Sequence, residues 1–213
     1  MVSEEMYVLG TKKSTIRTIF EFGQKRAAEV GAENIFDFSL GNPNVPAPDF
    51  IRDAAVDILM HGDPTEVHGY TIAPGKPAVR EVLAADLKRR FGMEVTGKNL
   101  FMTAGAAASV TITFKALTKP GDEFVTFAPF FPEYRVFVEA CGGKLVVVPA
   151  KTDDFQIDLT ALERAVTPRT KAVIVNSPNN PSGAVYSETT IRRLADLLRA
   201  KEQEYGRPIF IVA

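Results

Sequence analysis

The stretch that decides the fold is "KAVIVNSPNNPSGAVY", Lys171 to Tyr186. Ala172 to Val175 is a continuous apolar run, as in a strand buried on both faces. With no spacer the chain then enters three asparagines, two prolines and a glycine. Proline fixes the backbone, and each asparagine amide carries two donors and an acceptor. A core strand thus ends in a rigid, polar knot. It is either a plain Asx/Pro turn or a bracket that presents an amide to a ligand.

Working outward, "EFVTFA" (123–128), "KLVVVP" (144–149) and "RPIFIVA" (207–213) are short apolar strands of the same kind, and "NLFMTA" (99–104) reads as another. "IFDFSL" (35–40) alternates Phe36, Phe38 and Leu40 against Asp37 and Ser39, as a half-buried strand does. Helical spacing runs from Ser14 to Val30, with Gly31 where a C-cap belongs, and from Pro77 to Phe91. "GAAASVTITFKAL" (105–117) reads as a helix opening on a glycine. Thr160 with Glu163 forms a capping-box pattern, and Ser187 precedes a helix whose apolar face is Ile191, Leu194, Ala195 and Leu198. Apolar strands alternating with helices predict an α/β fold, a mostly parallel sheet with helices on both faces. The loop "GNPNVPAP" (41–48), with its three prolines, marks the expected boundary between residues 1–47 and 48–213.

Composition narrows the function. Across 213 residues the formal net charge is −1, which argues against a nucleic-acid footprint. One cysteine, Cys141, and two histidines leave no cluster at metal-ligand spacing, so no metal is expected. "MVSEEMYVLG" has acids where a signal peptide has bases, and no apolar run is long enough to span a bilayer. The expectation is a cytoplasmic protein without membrane partners.

In a parallel sheet ligands bind beyond the carboxyl ends of the strands. "TAGAAAS" (103–109) follows the first strand, and small residues at a helix start let backbone N–H groups approach a phosphate. Ala-rich helix starts are also common without any ligand. "APFFPEY" (128–134) follows the second strand; Phe130 and Phe131 alternate in direction, so that one can face the core and the other the crevice, or both can be core. The X–Pro bonds at Ala128–Pro129 and Asn180–Pro181 are candidates for the cis form. His61 and His68 read as solvent-facing.

The order and spacing of these segments, together with "GYTIAPGKPAVREVL" and its Tyr70, Gly75 and Arg80, resemble the class I/II pyridoxal-phosphate aminotransferases of the aspartate-aminotransferase-like fold. The resemblance runs from about Ile16 to the last residue, and "NSPNNPSG" is its most specific element. It implies an N-terminal arm and part of a small domain in residues 1–47 and a truncated pyridoxal 5′-phosphate-binding large domain in residues 48–213. It also implies that Gly105, Ala106 and Ala107 cradle the cofactor phosphate, that Phe131 stacks on the pyridine ring and that Asn180 bonds the ring oxygen O3′. Asn176 would hold the loop rather than touch the ring. Tyr70 would reach the phosphate of a neighbouring subunit, making the enzyme a homodimer, and Gly41 would lie near the substrate carboxylate. Ala106 and Ala107 depart from relatives with polar side chains there, so residues further along are expected to supply bonds to the phosphate.

Three groups that the chemistry needs are not found: a Schiff-base lysine, a carboxylate for the pyridinium nitrogen and an arginine for the substrate carboxylate. Lys98, Lys144 and Lys171 precede their strands at the opposite edge of the sheet, and Lys115 reads as solvated. The chain therefore reads as the N-terminal half of an enzyme that moves an amino group between an amino acid and a 2-oxo acid, with no catalytic residue of its own. A lyase or decarboxylase on the same scaffold, and a non-catalytic binding fragment, are the alternatives.

Overall fold

A computed structural model of the chain describes residues 2–11, 15–39, 41 and 45–213. The chain divides into two compact units, Met1–Met102 and Thr103–Ala213. The first unit is helical: α1 (Glu4–Thr11), α2 (Thr15–Val30), α3 (Asp49–His61), α4 (Pro64–His68) and α5 (Pro77–Phe91). The residues predicted for α2 and α5 are those that form them, Ser14 lying outside the described residues. The Gly31 N–H closes α2 on the carbonyl of Ala27 at 3.0 Å. Proline occupies the first helical position of both α4 and α5, where its missing N–H costs nothing. Asp63 caps α4 by accepting from the amides of Thr65 and Glu66, and these bonds and that of the Thr65 hydroxyl hold its carboxyl below the usual range.

The second unit carries the sheet. In chain order it runs α6 (Ala106–Leu117), β1 (Glu123–Phe127), α7 (Glu133–Glu139), β2 (Lys144–Val148), α8 (Leu159–Ala165), β3 (Thr170–Ile174), α9 (Glu188–Tyr205) and β4 (Phe210–Val212). All pairings are parallel, in the order β2-β1-β3-β4. Side chains alternate across it. Phe124, Ala172 and Ile174 meet Phe114 of α6 and Val138 of α7 on one face. Val125, Phe127 and Val173 meet Leu162 of α8 and Leu194 and Leu198 of α9 on the other. Each fully buried apolar side chain of this kind contributes about 1.5–3 kcal/mol. Helices thus cover both faces, as an all-parallel sheet requires.

Two expected strands do not form. Residues 35–39 are irregular, with Phe36 81% and Phe38 94% exposed; Leu40 lies outside the described residues. The alternation is present, but these residues pair with no strand among the described residues. Instead Asp37 Oδ1 accepts from the Ser39 N–H at 2.8 Å, a local bond that competes with a ladder. In 99–104 a 3₁₀ turn occupies Gly97–Asn99, closed by a capping box from Thr96, and the remainder joins no strand. The capping box predicted at Thr160 is also displaced: Asp158 is the N-cap of α8, accepting from the Ala161 N–H at 2.9 Å, and Thr160 lies inside the helix.

Candidate functional site

The strand order reverses between β1 and β3. The chain steps from β1 to β2 on one side, then returns to lay β3 and β4 on the other. At such a switch point the connections leave in opposite directions and open a crevice beyond the carboxyl ends of the strands. A cavity of about 270 Å³ lies there, lined by Ala106 and Ala107 from the start of α6, Phe131 and Tyr134 after β1, and Asn176 and Asn180 after β3. That is just below the roughly 300–1,000 Å³ of drug-sized sites, room for one small ring system.

Each wall is set by its local sequence. Gly105 is the N-cap of α6 at φ 85° and ψ 171°, a region essentially reserved for glycine. Its carbonyl accepts from the Ser109 N–H at 3.2 Å, and one of the Ser109 and Thr103 hydroxyls, 3.4 and 3.3 Å away, adds to this. The peptide is trans, so its N–H points the other way, out of the helix. The amides of Ala106, Ala107 and Ala108 have no partner among the described residues, as expected of an uncapped first turn. Small side chains leave them open to an anion. The polar side chain further along is Ser109, and its hydroxyl is engaged with Thr103 at 2.5 Å.

The aromatic wall separates the two phenylalanines. Phe130 packs against the core, whereas Phe131 lines the cavity, half-buried. Tyr134, on α7, meets the Phe131 ring edge-on at 5.6 Å and 78°. Burial pushes the phenols of Tyr134 and Tyr186 up from their ordinary range, and for Tyr186 the Tyr134 charge adds to the effect.

The third wall is the polar knot. Asn176 Oδ1 accepts from the Asn180 N–H at 2.8 Å, fixing that backbone, and the Asn180 side chain makes no hydrogen bond among the described residues. Gly183, at φ 71°, turns the loop so that its N–H bonds the Asn179 carbonyl at 2.7 Å and the Asn179 N–H bonds Ala184 at 2.9 Å. The bonds at Ala128–Pro129, Ser177–Pro178 and Asn180–Pro181 are all cis.

The structure therefore brings Ala106, Ala107, Phe131 and Asn180 to one cavity, with Gly105 directly before it. Gly41 and Tyr70 belong to the first unit, and both are exposed. His61 and His68 are exposed on α3 and α4. Lys144 and Lys171 sit at the opposite edge of the sheet. Lys171 lies 3.1 Å from Asp122, and Lys144 lies 3.8 Å from Glu123. Lys98 is in the 3₁₀ turn, and Lys115 is exposed on α6. Among the described residues no group of three His, Cys, Asp or Glu could hold a metal, and no helix is long and apolar enough to cross a membrane. Tyr134 escaped the sequence reading. Its signal was helical spacing, three residues after Phe131 at the start of α7.

The sequence model of the family described as aminotransferase class I and II matches residues 33–203. The chain belongs to this family. The chain is 37% identical over 158 residues to a probable aspartate/prephenate aminotransferase of Thermus aquaticus, 74% of this chain and 40% of that relative. It is 34% identical over 183 residues to a probable N-succinyldiaminopimelate aminotransferase of Mycobacterium tuberculosis, 84% of this chain and 44% of that relative. Among solved structures, an amino transferase from Eubacterium rectale matches 99% of the chain and 53% of its own length, at 53% identity and a TM-score of 0.96. Aspartate aminotransferase from Thermus thermophilus with maleate matches 99% of the chain and 53% of its own length, at 29% identity and a TM-score of 0.80. The chain thus spans about half the length of the relatives it matches, and its fold is the aspartate-aminotransferase-like one.

Proposed function

We propose that the protein containing this chain moves an amino group between an amino acid and a 2-oxo acid with pyridoxal 5′-phosphate as cofactor. The observation that carries the reading is the meeting, in one cavity at the switch point, of open helix-start amides, an aromatic face and an uncommitted amide side chain. These are the groups a phosphorylated, planar, phenol-bearing ring needs. The relatives' names differ in substrate, from aspartate/prephenate to N-succinyldiaminopimelate and, in Pseudomonas aeruginosa, arginine–pyruvate, and share the transfer. The proposal is accordingly of the transfer.

When bound, pyridoxal phosphate supplies an electron sink for the substrate α-carbon. The residues of this chain bind and orient. Gly105 aims the Ala106 and Ala107 amides at the phosphate, and the helix end favours its charge by about 0.3–1 kcal/mol, up to ~2 when partly buried. Phe131 stacks on one ring face, and Tyr134 steadies it. Asn180 donates its side-chain amide to the ring oxygen, its backbone fixed by Asn176. Within the same reading Tyr70 contacts the phosphate of a second subunit in a homodimer, Gly41 adjoins the substrate carboxylate, and the enzyme works in the cytoplasm. Residues 1–47 act as arm and small-domain segment and 48–213 as cofactor domain, a functional division distinct from the compact units.

The test uses the full-length protein, incubated with an amino acid and 2-oxoglutarate and scored for glutamate with and without added cofactor. Cofactor-dependent glutamate is the expected result. Amino-acid breakdown that needs no 2-oxo acid, or no cofactor binding at all, overturns the reading.

A further inference from the structure

Asn179 stands one residue before the amide assigned to the ring oxygen, yet it does not line the cavity. It is buried, and a buried amide is costly unless its hydrogen bonds are made. Both hydrogens of its Nδ2 are used, one toward the carbonyl of Pro129 at 3.0 Å and one toward Ser182 Oγ at 2.8 Å. The second bond stays within the loop. The first crosses 50 residues of sequence, from the loop after β3 to the loop after β1. Pro129 is two residues before Phe131, and Asn179 directly precedes Asn180. One hydrogen bond therefore joins two walls of the cavity.

We propose that Asn179 is a positioning residue. Its amide clasps the two loops and so sets the separation between the Phe131 ring and the Asn180 amide. The inference rests on the pyridoxal phosphate reading above. The two bracing asparagines have separate tasks. Asn176 fixes Asn180 within its own loop, and Asn179 fixes that loop to its neighbour. The task requires a donor, because the Pro129 partner is a carbonyl oxygen. An aspartate of the same shape would set a carboxylate oxygen against that carbonyl, and an alanine would leave the carbonyl without its partner.

The test compares the full-length protein with its Asn179→Ala, Asn179→Asp and Ser182→Ala variants. Pyridoxal 5′-phosphate is titrated into each apoprotein. The readouts are the dissociation constant, the visible circular dichroism per bound cofactor and the melting temperature. Both Asn179 variants are expected to weaken binding by about tenfold or more, and to reduce the dichroism, well below their melting temperatures. Ser182→Ala keeps the bond to Pro129 and stays within about threefold of wild type. A lower melting temperature with unchanged affinity and dichroism overturns the proposal and leaves Asn179 a scaffold residue. Failure of both Asn179 variants to fold does the same, because the residue then serves the fold and not the width of the cavity. Wild-type protein that binds no cofactor removes the underlying reading, whereas equal binding by wild type and variants removes the clasp alone.

Discussion

At Gly105 nothing lies within 4 Å of where a Cβ would stand, so the position demands glycine for its backbone alone. Gly105→Ala is therefore expected to cost about 1–3 kcal/mol through φ/ψ strain, or to turn the helix-start amides away from the cavity. A lower melting temperature or a larger cofactor dissociation constant in the full-length protein would show it. Phe131 makes the complementary case. It is only half-buried, so Phe131→Leu should leave the apoprotein's melting temperature nearly unchanged. It removes the ring face, worth about 0.5–1.5 kcal/mol, and so should weaken cofactor binding by roughly threefold to tenfold. Equal affinities would show that the ring is not stacked on the cofactor. At this scale Phe131 and Asn180 were legible because each lies a few residues beyond a buried strand, and Ala106 because a glycine and small residues open its helix. Asn179 and Tyr134 were not. The contact of Asn179 to Pro129 exists only once separate segments face one another, whereas that of Tyr134 to the Phe131 ring is local, made by the turn that opens α7.

Elements were legible where one signal dominated. α5 begins at a proline and ends at Gly92 in the left-handed conformation, and its span follows from those two residues. The strands β1, β2 and β3 follow from short runs of β-branched and aromatic residues bounded by turn signals, whereas the β-branched run Val110–Thr113 lies within the longer apolar pattern of α6. α8 shows the limit of a local motif. Thr160 and Glu163 have capping-box spacing, but Asp158 two residues earlier is an equally good cap, and Ile157 and Leu162 decide between them by packing into one core cluster. Asp158→Ala should accordingly destabilise the protein by about 0.5–2 kcal/mol, as loss of a cap does. Thr160→Ala, at an exposed position inside the helix, should stay within about 0.5 kcal/mol of wild type. Chemical denaturation of both variants measures the difference, and a reversal would restore the sequence-based boundary. The segments 35–40 and 99–104 mark a second limit, since strand periodicity in a sequence says nothing of a partner strand.

Across the whole sheet, charge is sorted by edge. The carboxyl ends of β1 and β3 carry the neutral cavity, and the amino ends carry an ion-pair network. Glu123, with its side chain 5% exposed, accepts from Arg169 at 2.9 Å and Thr167 at 2.6 Å. Asp122 accepts from the Lys119 amide at 2.9 Å and pairs with Lys171 at 3.1 Å. Burial acts to raise both carboxyls. The bonds from the Lys119 amide, Lys171, Thr167 and Arg169, with the nearby positive charges, outweigh it and hold both below their ordinary range. The sign of the consequence follows by linkage. A carboxyl that is more acidic folded than unfolded adds stability at pH values above its unfolded pKa, roughly 4. That stability is lost as pH falls through the lower, folded value. Glu123→Gln is expected to lower stability by about 1–2 kcal/mol at neutral pH, because charge-assisted bonds become neutral ones. It should also flatten the acid limb, so that wild type and variant converge below the carboxylate range. Melting temperatures of the two full-length proteins from neutral pH down to acid check both parts. Parallel curves would mean that Glu123 titrates alike in the folded and unfolded states, and that the network stabilises this edge of the sheet by packing and not by charge.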